Sequence, residues 1–541
     1  MIDMEKQGRV LILGAGLLQR PAIMAGRRLG YEVCVIDANE HAACVPLADT
    51  FRRIDLKDRE SIAAYAAELQ QTGGLQGVFT AGTDFSASAA YAAQRCSLPS
   101  HSFEAAVRAS DKLRMRRAFA SGGVPSPVFW EVQPGEAERF ADEADGIRFP
   151  LVVKPADSMG ARGCRLVRTR QELAAAAADA AAYSRSGRVI VEEYMAGSEF
   201  SLDALVSDGT VTICGFADRH IMYPPYFIEM GHTMPSACGS AVRLKVIEAF
   251  VRGIRALGLT CGAAKGDMKY TEKGAMVGEI AARLSGGYMS GWTYPYAADF
   301  DLTEAALCIA CGRTPEKLLA RRRRVSGLGA DMDDSVYEIP CFCTCAERAW
   351  ISIPGTVSRV TGIEAASGIE GVSDVIARAD EGSAVDFPRN NVEKCGNVIA
   401  SSNFRKTAEE RAEQAVSGIV VRLCAGNEKT DAFLQRRGEY GGLEFPPDAY
   451  RKPDGRPFVF NTACLKAVPR QGSISAVLPD EFAPYLDTLY DWNYRSLRQT
   501  LALFDELCPV RAELSAAELW NACARGGIQG MLYIADGGMC V

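Results

Sequence analysis

Histidine is scarce in this chain, since its 541 residues include only four. Structural zinc sites are built from cysteine and histidine, usually with C-x-x-C pairs, and the 18 cysteines form one cluster, at Cys341, Cys343 and Cys345. Strand alternation predicts that these three thiols share one face of a strand rather than bind metal. No Ser/His/Asp or Cys/His arrangement indicates a covalent nucleophile.

The sequence also lacks a strong excess of charge and any long apolar run. Its 60 Lys and Arg residues face 67 Asp and Glu residues, a net charge of −7, which gives no field to attract nucleic acid or an anionic membrane. No stretch approaches the roughly 18 apolar residues of a membrane span, and no basic segment precedes the first apolar run. We therefore expect a cytoplasmic protein with reduced cysteines and with no nucleic-acid or membrane partner.

The chain is long enough for several domains, and its 48% apolar and 23% charged residues are ordinary for a globular protein. Residues 9–37 predict a strand, a glycine turn, a helix and a second strand. Apolar strands and alanine-rich helices continue to about residue 110. This alternation predicts a doubly wound α/β domain.

The glycine turn of the first domain contains Gly14 and Gly16, with Gln19 where a dinucleotide-binding fingerprint has its third glycine. Asp37 ends the second strand, where a ribose-binding acid would lie. NAD binding therefore stays an alternative. The turn and the helix N-terminus also make a seat for another anion, such as a substrate carboxylate.

The pattern changes near Ser110, where Ser110 or Asp111 is a natural N-cap for a basic helix. Lys154 ends an apolar strand, and a glycine-rich loop containing Arg162 follows it. Such a loop can present backbone N–H groups and a fixed positive charge to phosphate oxygens. The alternative is an ordinary surface loop.

The next apolar strand, from Arg188, runs into Glu192, Glu193, Tyr194 and Met195. Backbone groups there could contact the edge of a base, and Glu199 could bind both hydroxyls of a ribose. A solvated acidic turn is the alternative interpretation.

Two strands near residue 270 give the sharpest prediction. Glu272–Gly274 predicts a three-residue hairpin loop, and that loop places Asp267 opposite Glu279. Carboxylates about 5 Å apart across a strand pair repel unless a cation lies between them, and hard oxygen ligands favour Mg²⁺. An exposed charged hairpin is the alternative.

The residues after this hairpin add groups for anions. Arg283 can neutralise a transferring phosphoryl group, and Ser285, Gly286 and Gly287 offer amides to an anionic substrate. Upstream, residues 223–235 include Glu229 and His232, which predict either a loop over the acceptor substrate or a structural His–Glu pair.

In this order, from about residue 9 to 400, the motifs resemble the ATP-grasp superfamily of carboxylate–amine ligases, which includes amino-acid ligases and carbamoyl-phosphate-synthetase-like enzymes. The motifs are the opening glycine turn, Asp111-Lys112, Val-Val-Lys154-Pro, the glycine loop, Val-Glu192-Glu193-Tyr194-Met195 with Glu199, and Gly-Glu279-Ile-Ala-Ala-Arg283-Leu-Ser-Gly-Gly. The resemblance implies a ligase that activates a carboxylate as an acylphosphate and joins it to an amine, with release of ADP and phosphate.

The resemblance also implies roles for single residues. For the nucleotide, it implies that Lys112, Lys154 and Arg162 contact the phosphates, that Glu192–Met195 form the adenine hinge and that Glu199 binds the ribose. It implies that Asp267 and Glu279 bind the metal and that Arg283 stabilises the acylphosphate. The residues implied to contact substrate are Gly14, Gly16, Gln19, Glu229, His232, Ser285, Gly286 and Gly287. The implied cofactors are ATP and Mg²⁺, with Mn²⁺ as the alternative metal. The implied substrates are a carboxylate and an amine, both amino acids, and relatives are often homodimers.

One position departs from the family pattern, because Ala281 stands where an asparagine metal ligand is usual. The alternatives are a bicarbonate-dependent carboxylase and, because of Ala281, a nucleotide-binding protein without turnover.

We predict an α/β pre-ATP-grasp domain over 1–110, an ATP-grasp domain over 111–329, a small β-rich lobe over 330–420, and an extension of unknown role over 421–541. The extension contains helix-like and strand-like pieces such as 501–507 and 530–535.

Overall fold

The structure is a computed structural model that describes residues 7–133, 135–143, 147–329, 332, 335–442 and 444–537. Contacts divide the chain into two compact units. The first unit runs to His220 and includes His232–Cys345, and the second comprises Ile221–Gly231 and the residues from Ala346 onward. The predicted segment 421–541 therefore lies in the same unit as residues 346–420, while the four-part division of the sequence stays a prediction.

The first unit begins with a parallel sheet and its helices. These are β1 (Arg9–Leu13), α1 (Arg20–Arg28), β2 (Glu32–Asp37), β3 (Thr50–Arg53), α2 (Arg59–Gly73), β4 (Leu75–Phe79), α3 (Ser86–Arg95) and α4 (Phe103–Ser110). The strand order is β3-β2-β1-β4, and all neighbours are parallel. Apolar side chains such as Leu11 and Ile36 are fully buried, as expected where helices cover a parallel sheet. The predicted doubly wound opening is confirmed.

A small antiparallel sheet follows. Its elements are α5 (Lys112–Ser121), β5 (Phe129–Val132), α6 (Ala137–Glu143), β6 (Leu151–Pro155), β7 (Arg165–Val167), α7 (Arg170–Tyr183) and β8 (Val189–Glu193). The strands lie in the order β5-β8-β6-β7. The predicted N-cap is Asp111, which accepts hydrogen bonds from the N–H groups of Leu113 and Arg114. The glycine-rich loop, residues 156–164, joins β6 to β7.

The larger sheet of the first unit carries the predicted hairpin. Its region contains β9 (Ser198–Ser207), β10 (Thr210–Met222), β11 (Ile228–Met234), α8 (Ser240–Leu257), β12 (Gly262–Thr271), β13 (Gly274–Ala281), a π-helical turn (Met289–Thr293), α9 (Tyr294–Ala298), α10 (Leu302–Ala310), α11 (Glu316–Arg321), β14 (Arg323–Arg324) and β15 (Val336–Glu338). Strands β13, β12, β9 and β10 are neighbours in that order, each antiparallel to the next. Helix α8 covers this sheet so closely that a Cβ at Gly266 would lie 2.6 Å from the Phe250 ring.

The second unit is β-rich at first and irregular later. Its elements are β16 (Thr344–Trp350, which begins in the first unit), β17 (Gly355–Thr361), α12 (Ile363–Ser367), β18 (Val372–Ala377), β19 (Ala384–Val385), β20 (Gly396–Ser402), α13 (Arg405–Gly418), β21 (Val420–Leu423), α14 (Glu428–Leu434), α15 (Leu497–Leu507) and α16 (Ala516–Ala535). Strand β17 pairs with β19 and β21, and β18 pairs with β20. One apolar core joins Trp350 and Val398 to Phe482 and Trp520.

Two local predictions were wrong. The strand-like piece 530–535 belongs to helix α16, because its apolar side chains pack into the core of the second unit at helical spacing, and packing overrides strand propensity. The three clustered cysteines do not share a strand face, since only Cys345 lies within β16. Among the described residues, no three or more His, Cys, Asp or Glu side chains are grouped to hold a metal. None of the helices in the described ranges has the length and apolarity to cross a membrane.

Candidate active site

The centre of the candidate site is the β12–β13 hairpin of the first unit. Asp267 lies opposite Glu279 and Lys265 opposite Ala281, so the predicted register is confirmed. The predicted three-residue loop is wrong, because the loop contains only Glu272 and Lys273. A bulge at Gly278 adds the missing residue and brings the two carboxylates opposite each other.

Glycine is required at this bulge because a Cβ at position 278 would lie 2.9 Å from the carbonyl oxygen of Asp267. The bulge is also held from outside the hairpin, since Arg116 donates a hydrogen bond to the carbonyl of Gly278. Arg116 lies on α5, one turn after Lys112. The orientation of Glu279 therefore depends on α5 as well as on its own strand.

Cationic side chains surround both carboxylates of the hairpin. Burial alone would raise the pKa of Glu279, but nearby Lys112, Lys265, Lys154 and Arg283 lower it to about 2. Lys112 Nζ lies 3.5 Å from Glu279 Oε2.

Asp267 contacts Lys265 and lies 2.8 Å from Arg219 Nη1. Its Oδ1 is buried, forms this ion pair and accepts no hydrogen bond within the described residues. A buried carboxylate oxygen of this kind, opposite the Glu279 carboxylate, fits a divalent cation with oxygen ligands.

Lys154 is held by the neighbouring strand. Its Nζ lies 2.6 Å from Glu192 Oε2, and Arg116 Nε donates to Glu192 Oε1 at 2.8 Å. Burial alone would lower the pKa of Lys154, but the Glu192 carboxylate raises it. Burial would likewise raise the pKa of Glu192, and Arg116 and Lys154 together lower it. Lys154 and Glu192 therefore stay charged beside Arg116 in a buried cluster.

Lys112 connects the N-terminus of α5 to the glycine-rich loop. Its Nζ donates to the carbonyl of Ser158 at 2.7 Å. In the same loop, Arg162 donates to the carbonyl of Met159 at 3.0 Å and to Asp84 Oδ2 at 3.1 Å. The loop therefore presents one cation of its own and lies against a second cation from α5.

The segment predicted to bind the base and ribose is tied together by one lysine. Lys269 Nζ lies 2.6 Å from Glu199 Oε1 and donates to the carbonyl of Met195 at 2.8 Å. The same ammonium lies 4.9 Å from the centre of the Tyr194 ring. Glu193 forms a longer contact, 3.4 Å, with Lys273.

A pocket in the first unit collects several of these side chains. Its lining residues are Asp84, Ser86, Ala109, Ser110, Lys112, Met115, Asp157, Met159, Arg185, Glu279, Ala281 and Arg283. Arg283 is buried within it, and burial lowers its pKa while Asp84, Glu279, Asp267 and Asp203 oppose that shift. Of the predicted phosphate, metal and acylphosphate residues, the pocket brings together Lys112, Glu279 and Arg283, while Lys154, Arg162 and Asp267 are not among its lining residues.

The glycine turn of the first domain is stabilised by its own polar groups. Gly14 N–H donates to the carbonyl of Ile36 at 2.8 Å, and Asp37 accepts from the N–H of Ala15 at 2.8 Å. Both amide atoms of Gln19 bond to the backbone of Ala81. Gly16 precedes the short helical turn that contains Gln19. The Asp37 carboxylate therefore supports this turn, which weakens the NAD alternative.

The turn after Arg283 is also held by hydrogen bonds to other residues of the first unit. Ser285 donates from its N–H and its hydroxyl to Asp203 Oδ1, both at 3.0 Å. Leu284 forms a parallel bridge with Ala81, and Gly286 lies beside Gly82. Gly287 adopts the left-handed conformation, with φ of 62°.

Glu229 and His232 do not lie in the predicted loop, because both belong to strand β11. Residues three apart on a strand point to opposite faces. In the second unit, Glu229 N–H donates to Asn391 Oδ1 and its carbonyl accepts from Lys394, both at 2.8 Å. In the first unit, buried His232 has Nε2 2.8 Å from Thr293 Oγ1.

Sequence reasoning missed four charged residues that support the site, namely Arg116, Arg219, Asp84 and Asp203. Two of them carried a signal. Arg116 lies four residues after Lys112 on a helix already identified as basic and amphipathic. Asp203 is a lone acid in the otherwise apolar stretch Leu202–Val206. Arg219 and Asp84 come from distant segments, and nothing in their local sequence indicates their contacts.

Two family descriptions match the chain: residues 147–291 match the ATP-grasp domain, and residues 349–423 match the L-amino acid ligase C-terminal domain 2. Among curated proteins, human carnosine synthase 1 is 25% identical over 343 residues, which is 59% of this chain and 41% of that protein. D-alanine–D-alanine ligase of Desulforudis audaxviator is 25% identical over 287 residues, covering 50% of this chain and 86% of the relative.

Among solved structures, the L-amino acid ligase from Bacillus licheniformis is similar with a TM-score of 0.64 at 18% identity, covering 78% of this chain and all of that one. At this identity the likeness establishes the fold. The two domain matches, the curated ligases and the fold agree with the motif order in the sequence. The first unit therefore contains an ATP-grasp domain and the second an L-amino acid ligase C-terminal domain 2, and the chain is similar to ATP-grasp carbon–nitrogen ligases, enzymes that use ATP and a divalent metal ion.

Proposed function

We propose that this enzyme joins two amino acids, by activating the carboxylate of one as an acylphosphate and passing the acyl group to the amine of the other. The observation that carries this proposal is the pair Asp267 and Glu279, directly opposed across β12 and β13, beside the pocket that contains Lys112 and Arg283. The choice of amino acids is supported by the match of residues 349–423 to an L-amino acid ligase domain.

In the first step, a carboxylate oxygen of the acid attacks the γ-phosphorus of ATP, and the bond from that phosphorus to the ADP oxygen breaks. Such a step needs positioning and charge neutralisation more than covalent help. Lys112, Lys154 and Arg162 supply positive charge to the phosphates, and Glu192 holds Lys154 in place. Asp267 and Glu279 would hold a divalent ion, Mg²⁺ or Mn²⁺, which would supply further positive charge at the phosphates.

In the second step, the amine attacks the acyl carbon, phosphate leaves, and the amine loses a proton as the amide forms. Arg283 stabilises the negative charge that develops on the acylphosphate. Backbone groups of residues 193–195 contact the adenine, and Glu199, oriented by Lys269, binds the ribose. Gly286 and Gly287 bind the carboxylate substrate.

A second candidate is nucleotide binding without turnover. Ala281 lines the pocket and brings only a methyl group to the position opposite Lys265. One metal contact then has to come from water or from a second oxygen of Glu279. Tight binding of ATP with no release of ADP under any addition would favour this candidate.

The test is ADP and phosphate release from ATP with Mg²⁺, against amino acids added singly and in pairs, with mass spectrometry of the products. We expect release that requires two amino acids and a dipeptide product. ADP release that requires bicarbonate instead would show a carboxylase. Glu279→Gln is the inactive reference, and Lys317→Met, an exposed lysine on α11, is the matched control.

We also propose a cytoplasmic location, because the cysteines in the part of the chain that the structure describes are free thiols. Persistent reduced thiols are typical of the cytosol. Cell fractionation checks this, and recovery of the protein in an oxidised, disulfide-bonded form would contradict it. The predicted homodimer is checked by sedimentation.

A further inference from the structure

Asp203 is a wholly buried carboxylate in the middle of strand β9, between Leu202 and Ala204. Burying a carboxylate is unfavourable unless hydrogen bonds or opposite charges compensate. The hydrogen bonds to Asp203 come from one segment: Oδ1 accepts the N–H and hydroxyl of Ser285, both at 3.0 Å, and Oδ2 accepts the hydroxyl of Ser290 at 2.8 Å. The carboxylate therefore anchors residues 285–290 to the sheet.

That segment follows Arg283 directly and contains the glycines to which we assign the acid substrate. The Ser290 hydroxyl, which has a single hydrogen, lies within hydrogen-bond distance of both Asp203 Oδ2 and the carbonyl of Ser285, at 3.2 Å from the latter, and this contact closes the segment into a loop. The loop leads into the π-helical turn Met289–Thr293. Isolated π-helical turns occur frequently at functional sites because they re-aim the residues around them.

The other end of the segment is fixed by the glycine-turn region. Leu284 pairs with Ala81, and Gln19 bonds to both backbone groups of Ala81. Gln19 and Ser285 were both predicted to bind substrate. The Gln19 amide bonds to the backbone of Ala81, and the Ser285 N–H and hydroxyl bond to Asp203, so the groups of this region that we assign to an anion are Arg283, Gly286 and Gly287.

We propose that Asp203 is a positioning residue that orients Gly286 and Gly287 toward the carboxylate of the acid substrate, with Ser290 as its second contact. The proposal rests on the proposed function for the identity of that substrate. Asp203 itself does not touch the substrate. Its removal loosens the acid site and leaves the nucleotide site, which is built from α5, β6, β8 and β9, in place.

Two substitutions separate hydrogen bonding from charge. Asp203→Asn keeps one oxygen acceptor for Ser285, and its amide can donate to the Ser290 hydroxyl, which then accepts. Asp203→Ala removes all three hydrogen bonds. Ser290→Ala removes the bond to Oδ2 and the contact with the carbonyl of Ser285, and it keeps both bonds from Ser285 to Oδ1. Thr212→Val is the control, since Thr212 is buried on neighbouring strand β10 and makes no recorded bond to the segment.

The kinetic experiment measures KM for the acid, kcat and the Kd of MgADP by calorimetry. For Asp203→Ala we expect KM for the acid to rise about tenfold or more, and for Ser290→Ala about two- to threefold, with the Kd of MgADP within about twofold of wild type. Asp203→Asn should lie between wild type and Asp203→Ala. An unchanged KM for the acid in folded Asp203→Ala, or an equal rise in the Kd of MgADP, overturns the proposal.

Hydrogen–deuterium exchange provides a readout that does not depend on activity. Peptides covering residues 284–293 should exchange faster in Asp203→Ala and Ser290→Ala, and as in wild type in Thr212→Val. If the wild-type protein consumes no ATP with any amino acid, the proposed function fails and exchange alone decides: unchanged exchange at 284–293 overturns the positioning role. If Asp203→Ala does not fold, Asp203→Asn and Ser290→Ala carry the same test.

Discussion

The two units both bury charged side chains, but they satisfy them differently. In the second unit, Arg525 donates to the carbonyls of Phe433, Pro446 and Tyr440 and to the carboxylate of Asp448, at 2.7–3.1 Å. In the first unit, Lys154 contacts the carboxylate of Glu192. The Arg525 guanidinium is held by four acceptors at once, whereas the Lys154 ammonium is at the end of a flexible side chain and can turn toward a ligand. The comparison therefore separates charges that build a core from charges that are available for binding.

Buried arginine and carboxylate in the second unit also connect distant parts of the chain. Asp448 accepts from Arg436 as well as from Arg525, and Gln529 bonds to Ser352 and to the carbonyl of Val421 at 2.7 and 3.1 Å. The bonds of Gln529 join the residues after 424 to Ser352 and to strand β21. We infer a structural role for the segment 424–537, which completes the core of its unit.

The largest effect should come from Glu279→Gln. The substitution keeps the shape of the side chain but removes a charge opposite Asp267, so we expect ATP turnover to fall by about a hundredfold or more, the scale lost with one electrostatic contact in an active site. Steady-state ADP release measures it. Lys317→Met should retain wild-type activity, and a Glu279→Gln enzyme with near-normal turnover would remove our metal assignment.

Lys154→Met should reduce turnover nearly as much and should also lower stability. It leaves Glu192 buried with Arg116 as its remaining cation, and breaking a buried ion pair typically costs about 3–5 kcal/mol. Denaturant unfolding and ADP release measure the two effects. Lys273→Met is the matched control, because Lys273 is 73% exposed and makes a 3.4 Å contact with Glu193. Equal activities in the two variants would contradict the phosphate role of Lys154.

Arg525→Met, in the second unit, should lower stability and leave KM for ATP nearly unchanged. Asp448 would remain buried, paired with Arg436, and three carbonyls would lose their donor, so the free energy of unfolding should fall by about 3 kcal/mol or more. We expect KM for ATP to stay within about twofold of wild type in the folded fraction. A change in KM for ATP with no loss of stability would break the comparison between the units.

Sequence reasoning predicted the features that neighbouring residues determine and missed the contacts between distant segments of the chain. The strands around Gly14, the N-cap Asp111 and the Asp267–Glu279 register depend on neighbouring residues, so spacing predicts them. The register was nevertheless predicted with the wrong loop, because a two-residue turn with a bulge at Gly278 and a three-residue turn give the same pairing. The partners of Gln19, Ser285 and Arg219 lie in distant segments, and local spacing carries no information about them.

The smallest expected effect is the change with pH in the contribution of Glu279 to the free energy of unfolding. The pKa of Glu279 is lowered from its usual 4.5 to about 2 in the folded protein, so its ionised form favours folding. This contribution is complete above pH 4.5, the unfolded value, and is lost as pH falls from there to about 2. The difference in unfolding free energy between wild type and Glu279→Gln should therefore be flat at neutral pH and shift in the acid range.

Denaturant unfolding of both proteins at several pH values between 3 and 7 measures that difference. Arg525→Met is the contrast, because the group it removes stays charged throughout this range, with a pKa lowered by burial only to about 10. A Glu279 contribution that disappeared near pH 6 would mean that Lys112, Lys265 and Lys154 do not stabilise the carboxylate. The charges around the pocket would then behave as solvent-exposed charges do. The difference between the two units, charges that build a core against charges available for binding, would not hold for Glu279.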